Sequence, residues 1–544
     1  MRLAAITLAV LAMACLACSR GGASSATGTP AAAATTAASP VPTASISIPD
    51  PTERDRVRDA LAGLPPGVEV SDRPLAGGKT YVVRAWAAVT GQRQDVLELR
   101  LDDLRRVLSG EIVDWSRLGG SALPIAVEVP AEDAEAIARL LLPGGLGAAV
   151  ARKPLAEVLA DADGTPGTLA LVPVEDLKPG ILALIVEGHD PYRDPASSSP
   201  LRVERWVRAP DEATADEVAR RLRWDALSRF NPASILATGD YIPARCSWAS
   251  ALAAGGPQLI FSAEMRDLLR AADLTVVPLE VGLMTSNQPT PCTSTTTLQG
   301  YYKAIEPLYG AGVDVVTRAS NHALDCWAGC SGIQVKQETD EVLAQAGIPS
   351  AGLGNDSAEA RTALVVERDG IKFAILAYDD IAPWYHAAPG GAGTAGLDLA
   401  TLGDDVRAAK ARAGHVLVAI HAGIEYQTDP TERQREAARI AAEAGASLVI
   451  GNHPHWVQAT EQIGDTFAVY ALGNFVFDQT WSVPTQQGML LEASFTRERM
   501  LGYRLRPQAI LDRYRPTLVS PAGEGAPILR RVWEASDRLS GRRP

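Results

Sequence analysis

Ser447-Leu-Val-Ile-Gly-Asn-His-Pro-His455 decides how this chain is read. A short apolar run, Leu448 to Ile450, stops at Gly451, and two imidazoles follow with one residue between them. That is the pattern of a buried strand emptying into a histidine-bearing loop. In α/β folds such strand ends are where ligands and chemistry collect. Pro454 stiffens the turn between His453 and His455, so two nitrogen ligands can converge with little ordering entropy left to lose. An H-x-H pair by itself fits two solvated loop histidines equally well.

Four other stretches repeat the pattern. Ser234-Ile-Leu-Ala-Thr-Gly-Asp240, Leu274-Thr-Val-Val-Pro-Leu-Glu280, Val313-Asp-Val-Val-Thr-Arg-Ala-Ser-Asn-His322 and Val416-Leu-Val-Ala-Ile-His421 each run from an apolar strand into Asp, Glu, Asn or His. Five strands thus deliver Asp240, Glu280, Asn321, His322, His421, His453 and His455. The chain has only seven histidines, and four of them are in these places. Oxygen and imidazole donors without thiolate predict one or two divalent ions, with manganese, iron and zinc not distinguished. A carboxylate shared by two ions is a construction for hydrolysing phosphate esters.

Six segments in order, Thr238-Gly-Asp240, Pro278-Leu-Glu280, Ser320-Asn-His-Ala-Leu-Asp325, His421-Ala-Gly-Ile-Glu-Tyr426, Gly451-Asn-His-Pro-His455 and Tyr470-Ala-Leu-Gly-Asn-Phe-Val-Phe-Asp478, resemble the motif series of a known family. It is the CapA-type poly-gamma-glutamate capsule-synthesis family, within the calcineurin-like metallophosphatase superfamily. The resemblance spans about Pro232 to Gln479. It implies a layered α/β sandwich in which Asp240 and His455 bind a first metal, Asn321, His421 and His453 bind a second, and Glu280 bridges the two. His322 would be the proton donor to the leaving oxygen. The chain departs from the superfamily at Ile242, where a further ligand histidine is usual, which puts the first metal in question. Arg245 stands where the family has an arginine; it is expected either to bind an anionic group or to form a structural ion pair. Glu425 and Tyr426 are expected to support the ligands or touch substrate, Asn452 and Asn474 to brace the metal loops, and Asp325 to orient the Asn321-His322 loop. His386 lies in an aromatic loop bounded by Pro383 and Gly390, either a lid or an ordinary connection. His415 heads a strand and His189 a turn, both without an assigned role.

The chain opens with a signal-like segment, Leu3 to Ala17 behind Arg2, ending at Cys18. Its apolar core is shorter than a membrane span requires, and Cys18 resembles the lipidated cysteine of bacterial lipoproteins. Ordinary cleavage slightly downstream is the alternative. Residues 19–48, rich in Ala, Thr, Ser and Pro, read as a disordered linker with a reach of roughly 30 Å. Residues 49–210 read as a smaller α/β domain, for which Leu101 to Trp115, Gly167 to Leu177 and Ala183 to Pro191 are similar to phosphate-type periplasmic solute-binding proteins, with one lobe reduced. No phosphate cradle at a helix start is recognisable in it. Residues 211–231 read as a connecting helix, 232–512 as the CapA-like domain and 513–544 as a tail closing in a short helix.

Lys and Arg number 51 and Asp and Glu 64, so the formal charge is −13. That speaks against nucleic acid as a partner and against capture of a polyanion by a general positive field. Beyond the signal segment lie Cys246, Cys292, Cys326 and Cys330, an even set in an exported chain, with three disulfide pairings open. The expected function is an exported, lipid-anchored, metal-dependent hydrolase of the phosphoesterase type, linked to capsule or poly-gamma-glutamate synthesis. Its expected partners are an anionic polymer or phosphoester, the membrane and a capsule-synthesis complex. A non-catalytic polymer- or solute-binding scaffold, or an amide hydrolase of the gamma-glutamyl polymer, is the alternative.

Overall fold

The computed structural model describes residues 44–285, 292–293, 295–327 and 329–541. The signal-like segment, Cys18 and most of the linker lie outside the described residues. Residues 44–544 form one compact unit. The linker ends earlier than expected: Ser45–Ser47 is already a strand, paired in parallel with Glu69–Ser71, and Ile48 is buried.

The leading α/β domain is built on one long strand, Lys79–Gly91. Its first half pairs with Arg202–Arg208, and its second half with Thr168–Pro173 and Ile181–Ala183. Two packing clusters follow from that division. One gathers Val57, Val70, Tyr81, Val218 and Trp224; the other gathers Trp86, Leu104, Trp115, Ile137 and Leu171. The amphipathic helix Leu101–Ser109 stops at Gly110, whose φ of 86° supplies the left-handed cap. Trp115 then packs fully buried and donates to Gly167 O at 3.1 Å. Residues 212–228 are two helices, Glu212–Leu222 and Trp224–Ser228, not a free connector. Ala215, Val218, Ala219 and Leu222 bury against the leading sheet, as their helical spacing dictates, so this segment belongs to the leading domain.

The second domain is a four-layer sandwich. One sheet runs in the order Ser350–Ala351, Val315–Thr317, Leu274–Pro278, Ala233–Ala237, Gln487–Phe495, Met500–Leu511, Arg515–Leu518. The other runs Leu364–Arg368, Ile371–Asp379, His415–His421, Leu448–Asn452, Thr466–Val469, Thr460–Ile463. Ile235, Val276, Val315, Phe373, Leu417, Ile450 and Met489 meet between the sheets. Helices cover the outside of both: Arg245–Ala254, Ala263–Ala271 and Gly332–Ala346 on the first, Leu399–Lys410 and Glu432–Glu443 on the second. Strands buried on both faces read as continuous apolar runs, which is why these segments lack polar alternation. The tail is part of this domain: Arg515–Leu518 completes a sheet, and Ile528 and Val532 of the helix Ala526–Leu539 enter the inner core.

The two domains share a buried ionic joint. Arg504 donates to Asp190 Oδ2 at 2.9 Å, to Glu492 Oε2 at 2.8 Å and to Ala183 O at 2.9 Å. Among the described residues no helix is long and apolar enough to cross a membrane.

Candidate metal centre

Ala233–Ala237, Leu274–Pro278 and Val315–Thr317 are parallel to one another, as are Ile371–Asp379, His415–His421 and Leu448–Asn452. Parallel strands end on a common edge, and the chemistry-bearing residues follow those ends. Two glycines let the backbones close there. A Cβ on Gly451 would stand 1.8 Å from Tyr470 O, and one on Gly239 would stand 2.1 Å from Gly473 O. His453 and His455 hold φ values of 98° and 58° on either side of Pro454. Such left-handed backbone at non-glycine residues is strained and persists where the surroundings over-determine it, commonly at ligand sites.

The structure brings Glu280, His421 and His453 together as one group of ligand atoms, and Asp240, Glu280 and His455 as another, each within 4.8 Å. Glu280 is common to both. Asn321 joins the first through its Oδ1, 2.7 Å from His421 Nε2. His455 Nδ1 lies 2.9 Å from Asn474 Oδ1 and 3.5 Å from Asp240 Oδ2, so Asn474 braces the ring. Asn474 is itself held by Thr485 O at 2.8 Å. Asn452 is buried in register with His421, its Nδ2 without a partner.

These donors fit a divalent cation. Asp240 Oδ1, both Glu280 carboxylate oxygens and His453 Nδ1 are buried without a hydrogen bond. His421 Nε2 faces Glu280 Oε1 at 3.4 Å. Buried polar groups are almost always paired, and an unmatched buried carboxylate is costly, so a cluster of such atoms calls for a cation. The electrostatics agree. Burial and the Glu280 carboxylate raise the Asp240 pKa. Burial also opposes the charge on Glu280, but His421, with help from His455, outweighs it and holds that carboxylate at about 2. Burial is likewise outweighed at His421, raised by Glu280, and at His455, raised to about 9 by Asp240 and Glu280. His453, buried and facing His421 and His455, is pushed well below the ordinary imidazole value. Protons and a divalent ion compete for the same lone pairs.

His322 stands beside the group. Its Nδ1 is 2.7 Å from Asp325 Oδ2, which also accepts from Leu298 N at 2.7 Å. Cys326–Cys330 closes the turn just after Asp325, and Cys246 pairs with Cys292. Of the two roles open to Arg245, the structure places it in the ion pair. Asp478 takes its guanidinium on two nitrogens, Thr295 O takes the third, and the cation lies over the Phe477 ring. The expectation of Arg245 as an anion-binding catalytic group is therefore corrected: each of its three nitrogens donates to the protein itself, and the structural ion pair is the role observed. Ile242 is fully buried in the apolar layer outside the first sheet. Tyr426 accepts from Gln479 Nε2 at 3.1 Å and stacks near His455, with Trp481 edge-on at 4.6 Å; Glu425 is exposed. His415 is structural, held between Ser447 Oγ and Thr496 O and packed on Phe373. His189 is buried in the leading domain, 3.2 Å from Ser198 Oγ. Sequence reasoning missed Asp379, although Tyr378-Asp379 also ends an apolar strand. It is fully buried, in register with His421, and its two oxygens accept from Ile381 N and Ala382 N.

Residues 234–479 match the family model described as bacterial capsule synthesis protein PGA_cap. This segment is similar to the CapA family. The PGA biosynthesis protein CapA of Bacillus subtilis (strain 168) is 31% identical over 187 residues, 34% of this chain and 48% of that protein. The capsule biosynthesis protein CapA of Bacillus anthracis is 27% identical over 185 residues, 33% of this chain and 44% of that one. The CapA resemblance thus spans about half the length of the curated relatives. Among solved structures, a 5'-nucleotidase precursor from Thermus thermophilus aligns over 57% of this chain and 59% of its own at 14% identity, TM-score 0.32. An ABC-type phosphate transport receptor from Vibrio cholerae aligns over 35% of this chain and 96% of its own at 16% identity, TM-score 0.26.

Proposed function

We propose that the protein is a metal-dependent hydrolase of the phosphoesterase type, exported and held at the cell-surface side of the membrane by lipid on Cys18. Its substrate is an anionic polymer or a phosphoester, met within a capsule-synthesis complex. The capsule link is supported by the names of the CapA relatives. The catalytic part is carried by one observation: Glu280, with both oxygens buried and without a hydrogen bond, belongs to two ligand groups at once.

Asp240, Glu280 and His455 would hold one divalent ion, and Glu280, Asn321, His421 and His453 a second. When bound, such ions supply Lewis acidity and make water easier to deprotonate. The chain's own residues do the rest. Asn474 fixes the His455 ring, and Gly451 lets the His453 loop close against Tyr470. Asp325 holds Nδ1 of His322, which leaves the other ring nitrogen to give a proton to the leaving oxygen. A second reading, a binding scaffold on the same frame, is favoured by Ile242, which leaves the first ion three protein ligands.

Metal analysis of the purified protein, with turnover of a generic phosphodiester and of poly-gamma-glutamate, separates these readings. The hydrolase predicts bound metal and turnover, both lost in Asn321→Ala and His453→Ala. It predicts that His322→Ala keeps its metal and loses ~10²–10⁴-fold in rate. Metal-free, inactive wild-type protein would establish the scaffold, and cleavage of the polymer alone would establish amide hydrolysis.

A further inference from the structure

We propose that Tyr385 is a positioning residue for proton donation by His322, acting through Asp325 from the opposite half of the sandwich. The inference rests on the hydrolase reading above and adds to it a residue outside the six motifs.

Tyr385 Oη donates to Asp325 Oδ1 at 2.9 Å, while Asp325 Oδ2 faces His322 Nδ1 at 2.7 Å and accepts from Leu298 N at 2.7 Å. Both carboxylate oxygens are therefore tied, and a carboxylate so tied can present only one lone-pair direction to the imidazole. Without the phenol, Asp325 would keep His322 and Leu298 N on one oxygen and could swing about them.

The backbone that carries the phenol is held on both sides. Tyr385 ends the short 3-10 turn Pro383–Tyr385, which begins where Asp379 accepts from Ile381 N and Ala382 N. The next residue, His386, reaches back to within 3.4 Å of Asp379 Oδ2 and packs on Gly396, where a Cβ would stand 2.4 Å from its Nδ1. Tyr385 O accepts from Thr394 Oγ1 at 3.2 Å. Asp379 lies in register with His421. One loop thus leaves the second sheet beside a metal-group histidine and ends its reach on the carboxylate that aims the proton donor of the first sheet.

In the proposed reaction, the oxygen of water forms the new P–O bond. The bond to the leaving group breaks with its electron pair going to the leaving oxygen, which takes the proton from His322; the proton that water loses restores the imidazole through solvent. A residue that aims this proton matters in proportion to how much the leaving oxygen needs it. p-Nitrophenolate needs little help, whereas phenolate needs more.

The test compares methyl p-nitrophenyl phosphate with methyl phenyl phosphate for wild type, Tyr385→Phe and His322→Ala, with metal content and melting temperature measured on each. Tyr385→Phe should keep its metal and fold, fall ~10-fold or more in kcat on the phenyl ester, and stay within about threefold on the p-nitrophenyl ester. His322→Ala should show the same selectivity, larger. Equal losses on both esters would mark Tyr385 as merely structural, and no loss on either would mark it as idle; both overturn the inference. Wild type without turnover on either ester sinks the hydrolase reading, and the role of Tyr385 with it. If Tyr385→Phe fails to fold, Asp325→Asn is read on the same pair of esters, where equal losses again overturn the proposal.

Discussion

In the leading domain the Asp133 carboxylate receives two hydrogen bonds from Arg84, at 2.9 and 2.7 Å, and a third from Trp86 Nε1 at 2.9 Å; at the rim of the sandwich the Glu280 oxygens receive none. Asp133 lines a cleft of about 960 Å³ between the two packing clusters of its domain, where Arg205 is likewise matched by Glu53 at 2.8 and 2.6 Å. The space around Glu280 is only about 10 Å³. Volume would point to the cleft. The state of the buried charges points to the rim, because Arg84 and Arg205 of the cleft are satisfied by the protein itself while Asp240 Oδ1, both Glu280 oxygens and His453 Nδ1 at the rim have no hydrogen bond. Matched charge is a structural statement, and unmatched buried charge is a request for a ligand.

That contrast can be broken. Its largest consequence is at the rim: Asp240→Asn should abolish metal binding and turnover without lowering the melting temperature of the chelator-treated protein. The raised pKa of Asp240 means that its charge opposes folding at neutral pH. A clear loss of stability in that variant would mean that Asp240 is structurally matched after all. In the cleft the opposite holds. Asp133→Asn removes charge-assisted bonds from Arg84 and Trp86, and it should cost about 1–3 kcal/mol in denaturant unfolding while leaving metal content and turnover unchanged. Lost turnover there would couple the two regions.

The smallest effect is a pH window. The pKa of His455, about 9, lies above its ordinary 6.5, so its proton stabilises the chelator-treated protein fully below about pH 6.5. The contribution fades as pH rises towards 9. Thermal melts from pH 6.5 to 9 should decline for chelated protein and not for metal-loaded protein, where the ion has displaced the proton. Parallel declines would argue against His455 as a ligand.

Much of the sandwich is legible because strands buried on both faces must be apolar along their length, so their ends stand out wherever a polar residue follows. Leu448 to Ile450 before His453 is such an end, and so are the ends at Asp240, Glu280 and His421. Asp379 follows the same rule and escapes notice because Asp-Asp after a strand also reads as a plain turn. Residues 211–231 read as a connecting helix because an amphipathic helix does not say which sheet receives its apolar face; Val218 and Leu222 find theirs in the leading domain. The disulfides cannot be paired from spacing, since four cysteines allow three arrangements.

By itself the sequence showed apolar strands ending in Asp, Glu, Asn or His, because periodicity and strand-end chemistry are local properties of the chain, and its resemblance to the CapA family implied the layered α/β sandwich that gathers those ends. The tertiary structure brought the ligand atoms of Glu280, His421 and His453, and of Asp240, Glu280 and His455, within 4.8 Å of one another, the grouping that the family resemblance implies. It also decided that Arg245 is paired with Asp478, that Ile242 is core, and that Tyr385 reaches Asp325 across the sandwich. Those outcomes depend on distances between segments far apart in the chain, and no local pattern encodes such distances.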